Sequence, residues 1–142
     1  VPYIIMHSRG TPQTMQSLTN YEDLVNDIIL HLKNQIERGH QHGAYDFIID
    51  PGFGFAKTVD QNFTLLNKLE CLSILDRPIL AGLSKKSMIW KTLDCMPEQA
   101  LNGTTALNMT ALLKGASILR VHDVPEATEC VKLFCKLVST NQ

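Results

Sequence analysis

The stretch that decides the fold is YDFIIDPGFGFAKT, residues 45–58. A short run of strand-forming residues ends on the carboxylate of Asp50. Pro51 and Gly52 then turn the chain sharply, and Thr58, with Gln61 three residues later, forms a capping box that opens a helix. A strand, a turn and a helix start are thus packed into fourteen residues. Three more apolar, β-branched runs have the same form: PYIIMH (2–7), RPILAGLS (77–84) and ASILRVHD (116–123). Helical patterns separate them, with two helices, KKSMIWKTL and roughly 98–114, between the third and fourth runs. The predicted order is β-α-β-α-β-αα-β-α. Strands alternating with helices imply a parallel α/β sheet, because a tight hairpin cannot return a parallel strand to its neighbour.

The first helix carries Tyr21, Leu24, Val25, Ile28, Ile29, Leu32 and Ile36 on one stripe at helical spacing. Thr19 with Glu22 reads as its capping box, and Gly39 and Gly43 as its end. Asp123 with Glu126 reads as a third box, before a last helix with Ala127, Val131, Phe134, Leu137 and Val138 on one face. Hydrophobic residues make up 44% of the chain, which excludes a disordered tail. The 13 basic and 14 acidic side chains leave a net charge of −1, which excludes a broad basic surface for nucleic acid. No apolar run is long enough to span a membrane. Cys71, Cys95, Cys130 and Cys135 follow neither CxxC nor zinc spacing, and read as buried apolar filler in a reducing, cytoplasmic setting. Nothing resembles a linker, so residues 1–142 read as one domain. His40 and His42 read as structural residues at a helix end rather than as a metal pair, and His31 as an exposed or half-buried helix residue.

Polar residues collect at the C-terminal ends of all four runs: His7 and Arg9, Asp50, Ser84 to Lys86, and Arg120 with His122. In parallel α/β proteins that end carries the ligand. Alternation along the fourth run puts Ile118, Arg120 and His122 on one face and Leu119 and Val121 on the other. Arg120 offers a bidentate fork and His122 a titratable donor, a pair suited to phosphate oxygens; an ion pair of Arg120 with Asp123 or Asp50 is the other reading. Lys86 is a mobile point charge toward an anion or ring carbonyl, with Ser84 adding a neutral donor. Asp50 can accept paired N–H groups from a guanidine-like or aminopyrimidinone edge, with Phe53 and Phe55 as flat apolar walls; an Asx turn with core phenylalanines is the other reading.

The motifs IIMHSRGTPQTM, IIDPGFGFAKT, PILAGLSKKSMI, NGTTALNMTALLKGA and ILRVHDV, in this order, resemble the successive strand-end motifs of the dihydropteroate synthase family. The resemblance implies a (β/α)8 TIM barrel, of which this chain carries the last four βα units (β5–α8), the C-terminal half. It implies condensation of 6-hydroxymethyl-7,8-dihydropterin diphosphate with p-aminobenzoate, giving 7,8-dihydropteroate and pyrophosphate. By resemblance Met6 lines the pterin pocket, Asp50 binds the pterin edge and Lys86 contacts the ring. Phe55, Ser84 and Gly82 are carried over as substrate-binding residues, Phe55 and Ser84 beside p-aminobenzoate. Arg120 and His122 hold the leaving diphosphate, and with Lys86 form the catalytic set. Lys85 stands where the family usually has Arg, keeping charge but losing the planar fork over p-aminobenzoate. The family also implies Mg²⁺, with its ligand outside this chain, and a homodimer through late helices, for which Met88, Ile89, Trp90, Phe134 and Leu137 are the apolar candidates. Alternatives are a pterin-binding methyltransferase barrel, or a non-catalytic half-barrel that only folds or dimerises. On its own the chain is expected to be inactive.

Overall fold

The computed structural model describes residues 1–140. Four parallel strands, β1 (Tyr3–Met6), β2 (Phe47–Asp50), β3 (Leu80–Ala81) and β4 (Ile118–Leu119), alternate with helices α1 (Leu24–Gln41), α2 (Val59–Asn67), α3 (Ser87–Thr92), α4 (Leu101–Leu113) and α5 (Val124–Ser139). The order is the one read from the sequence. β1 runs beside β2 in the register Tyr3–Phe47 to Met6–Asp50, and β3 beside β4. A bridge from Ile49 to Ile79 joins the two ladders. The last two strands are much shorter than their apolar runs. Ser117 and Ile118 both donate to the carbonyl of Ile79, Arg120 donates to that of Ala81, and the chains then leave the ladder for loops.

The core lies between the sheet and the helices. Ile28, Leu32, Ile49, Leu65, Leu69, Leu72, Leu83 and Met88 are fully buried. On β2, Phe47 and Ile49 face this core, while Ile48 and Asp50 share the opposite face. Val25, Ile28, Leu32 and Ile36 are the buried stripe of α1, as their spacing requires. Each such aliphatic side chain contributes about 1.5–3 kcal/mol when fully buried.

Helix ends depart from the sequence reading in specific ways. α1 starts at Leu24 with Asp23 as its cap, accepting from Asn26 N–H at 3.1 Å, so the Thr19–Glu22 box is not formed. Thr19 and Glu22 lie in the preceding loop, where the Thr19 carbonyl accepts from Gln61. Gly39 lies inside α1, where a Cβ would come within 2.4 Å of the Phe47 ring, so it serves close packing rather than termination. The Thr58–Gln61 box is present in both directions. Asp123 caps α5 by position only, because its carboxylate is turned to Lys85.

Other expectations are corrected by burial. Only Cys130 is buried; Cys71 and Cys135 are exposed and Cys95 half-buried, so filler describes one cysteine of four. Of the α5 face, Ala127 is buried, but Leu137 and Val138 are exposed. Met88 and Ile89 belong to the core and cannot serve an interface; Trp90, Phe134 and Leu137 retain exposed surface. No helix among the described residues is long and apolar enough to cross a membrane.

Candidate functional site

Asp50 ends β2 on the face away from the helices. Its carboxylate is almost wholly buried: Oδ1 accepts the Gly52 N–H at 2.8 Å, and Oδ2 accepts from Arg120 Nη2 at 3.1 Å. Only glycine fits at position 52. Its φ is +75°, and a Cβ there would lie 1.9 Å from the backbone oxygen of His7. The turn thus lies against the end of β1 and directs its amide at Asp50. Burial pushes the Asp50 carboxyl above its ordinary range, opposed by the Gly52 amide and by the charges of Arg120, Lys86 and Lys57.

Beside Asp50 a cleft of about 250 Å³ is lined by Phe55, Gly82, Ser84, Lys86, Arg120, Val121 and His122. Ser84 Oγ lies 2.8 Å from His122 Nδ1 and accepts the His122 backbone N–H at 3.2 Å. In the tautomer that accepts from the Ser84 hydroxyl at Nδ1, the ring N–H is at Nε2 and is left as a donor. The Lys86 ammonium sits 4.7 Å from the centre of the Phe55 ring, a cation–π contact. Burial lowers the Lys86 pKa, Arg120 lowers it further, and Asp50 opposes both. One small cleft therefore holds a fork of guanidinium N–H groups, an ammonium, an imidazole, a hydroxyl and an aromatic wall. Such a set can take an anion on one side and a flat ring on the other.

The strand-end residues read from the sequence are brought together, with differences. β4 stops at Leu119, so strict alternation does not extend to Arg120 and His122. Both reach the cleft from a loop, and Val121, expected on the helix side, lines it too. Of the two readings of Arg120, the ion pair with Asp50 is formed. Asp123 pairs with Lys85 instead, at 3.2 Å. Lys85 has φ +53° and points outside the cleft. Met6 ends β1 opposite Asp50 and is half-buried, not among the lining residues. Phe53 is 1% exposed and follows the core reading, as the Asp50–Gly52 bond follows the Asx-turn one; Phe55 alone lines the cleft as a wall. His42 Nδ1 contacts the Arg38 carbonyl, and His40 packs on Tyr45 and Phe47.

A second polar group behind the turn was not legible in the sequence. Lys57 is buried, with its Nζ 2.9 Å from His7 Nδ1 and from the carbonyls of Gly52 and Phe55. His31, half-buried on α1, meets His7 edge-on, and Tyr21 donates to the Ala56 carbonyl at 2.8 Å. Arg9 lies over the Tyr21 ring and reaches Asp27. Burial, with repulsion from Lys57, His31 and Arg9, lowers the His7 pKa to about 3. Burial likewise lowers Lys57 to about 7, against the pull of Asp50. His7 and Lys57 are fifty positions apart; only a lysine lodged in a glycine-rich turn hinted at the contact.

The pterin binding enzyme family matches residues 1–122, most of the chain. The chain belongs to that family. Dihydropteroate synthase from a Synechocystis strain is 44% identical over 139 residues, covering 96% of this chain and 47% of the relative. The Escherichia coli K12 dihydropteroate synthase is 37% identical over 144 residues, covering 100% of this chain and 51% of the relative. The solved Yersinia pestis dihydropteroate synthase in a sulfonamide complex superposes with a TM-score of 0.96 at 37% identity, over 99% of this chain and 52% of that one. The Thermus thermophilus enzyme with 6HMPPP bound superposes with a TM-score of 0.93 at 34% identity, over 97% and 56%. It has also been solved with 4-aminobenzoate. The chain thus spans about half the length of the curated relatives it matches.

Proposed function

We propose that this chain is the C-terminal half, the last four βα units, of a dihydropteroate synthase (β/α)8 barrel. The observation that carries the reading is the convergence of Asp50, Phe55, Ser84, Lys86, Arg120 and His122 at one end of the sheet. The superposition on enzymes solved with 6HMPPP and with 4-aminobenzoate supports it. Asp50, acceptor-only when ionised, takes the paired N–H groups of the pterin's aminopyrimidinone edge. Phe55 bounds the p-aminobenzoate side. Arg120, His122 and Lys86 hold the diphosphate. The p-aminobenzoate nitrogen attacks the exocyclic methylene carbon as its C–O bond to the diphosphate breaks. Pyrophosphate leaves with the electron pair, stabilised by the Arg120 and Lys86 cations and the His122 N–H, and the amine loses a proton. The product is 7,8-dihydropteroate.

Magnesium, which the family implies, is assigned no ligand among the residues of this chain. No three His, Cys, Asp or Glu side chains among the described residues could hold a metal, and Asp50 is engaged by Gly52 and Arg120. Its ligand in the whole enzyme belongs outside these residues, and no step here passes through it. Pairing of subunits involves the exposed surface of Trp90, Phe134 and Leu137, and the setting is cytoplasmic. Calorimetry with the pterin diphosphate tests the reading. In the whole enzyme, Asp50→Ala removes a charge-assisted contact and weakens binding by about 2–5 kcal/mol. Unchanged affinity would reject Asp50's role and, with it, the substrate assignment.

A further inference from the structure

The Arg120–Asp50 pair and the proposed ligand compete for access to the carboxylate: each oxygen keeps a second lone pair, but the side chain is almost wholly covered. Asp50 Oδ1 is taken by the Gly52 amide and Oδ2 by Arg120. The carboxylate side chain is 2% exposed and the guanidinium above it 54%, so Arg120 is the cover over Asp50. That cover depends on Gly82. A Cβ at position 82 would lie 2.8 Å from Arg120 Nη2, 3.0 Å from Nε and 3.3 Å from Cζ, so the guanidinium spans a bare Cα to reach the acid. Every contact that would move is the far end of one flexible side chain.

We propose that the Gly82-admitted Arg120–Asp50 ion pair is a specificity-determining contact: it withholds Asp50 from a ring with an N–H edge until an anionic group draws Arg120 away. This rests on the reading of the site given above. A ring alone must displace Arg120 without giving it a new partner, and an anion alone must strip Asp50 of its cation. A ligand carrying both groups satisfies both ends of the broken pair at once. The ring and anion subsites are therefore positively linked, and linkage is reciprocal. Lys86 and Lys57, whose charges also reach Asp50, keep it compensated once Arg120 has moved.

The test is calorimetry on the whole enzyme with 6-hydroxymethylpterin, titrated with and without saturating inorganic pyrophosphate. In the parent enzyme, pyrophosphate tightens pterin binding about tenfold, within the usual range of coupling between sites. In Arg120→Ala, pterin alone binds more tightly than to the parent, pyrophosphate binds more weakly, and the coupling disappears. In Gly82→Ala, the displaced guanidinium still takes pyrophosphate, yet pterin binding no longer depends on it. Binding of both ligands to the parent without coupling would overturn the proposal and leave the site assignment standing, as would weaker pterin binding in Arg120→Ala. Failure of both ligands to bind the parent enzyme would overturn the assignment and this proposal together.

Discussion

At the scale of single residues, the two buried bases behind the turn make stability depend on pH. Lys57 titrates near 7 in the folded chain against 10.5 when unfolded. Between those values the unfolded chain binds more protons, so stability rises with pH, by up to about 1.4 kcal/mol per unit. Below 7 both states are protonated and the contribution is flat. His7 acts in the same sense between about 3 and 6.5, because the unfolded imidazole charges before the buried one does. The chain should therefore melt at a higher temperature at pH 9 than at pH 7, and lose stability again below pH 6.5. Lys57→Met should flatten the rise from 7 to 9; an unaltered slope in that variant would assign the effect to other groups. This network was hidden in the sequence for a physical reason: Lys57 meets His7 across fifty positions, and burial of an ammonium has no local signature. Residues with left-handed backbone were hidden as well, since Ala56, Asp76, Lys85 and Asp94 take positive φ without being glycine.

At the scale of elements, what the sequence revealed was whatever local periodicity and local capping determine. The α1 stripe of Val25, Ile28, Leu32 and Ile36 is buried as spaced, and Thr58 with Gln61 closes both bonds of its box. Thr58→Ala should accordingly cost about 1 kcal/mol in urea unfolding, through the lost cap on α2. A change of a few tenths would mean that tertiary packing alone holds that helix start. Boxes failed where another group competed, distant in one case and local in the other. Asp123 is drawn to Lys85 thirty-eight positions away, and Asp23 displaces Thr19 as the cap of α1. Strand lengths failed because β3 and β4 hydrogen-bond only near Ile79 to Ala81, whereas apolar runs continue past the last rung. The cluster of Asp50, Ser84, Lys86, Arg120 and His122 was legible since parallel strands deliver their C-terminal ends to one side. Which of two acids Arg120 would choose was not.

At the scale of the whole molecule, β1 and β4 are the edges of the sheet among the described residues. Tyr3 and Ile4 on β1 are each 58% exposed, and beside β4 a groove is lined by Leu119, Val121, Val124, Ala127, Thr128 and Val131. Open parallel edges with apolar flanks invite pairing, which a closed barrel avoids. The 142-residue chain by itself should self-associate in sedimentation and form no dihydropteroate; a monomer with turnover near that of the whole enzyme would contradict the half-barrel reading. The join between the two ladders has a further consequence. Among the described residues Ile49 and Ile79 make the only bridge between them, and Asp50 and Arg120 stand on opposite sides of that seam. A salt bridge stretched across a one-rung junction acts as a clasp on local breathing. Amide hydrogen exchange at Ile49, whose N–H donates to Pro78 across the seam, should therefore quicken in Arg120→Ala while the amides within α1 keep their rates. Arrival of an anion that releases Arg120 would loosen the same seam, so the backbone around Asp50 becomes most pliant at the moment the ring must slide into place.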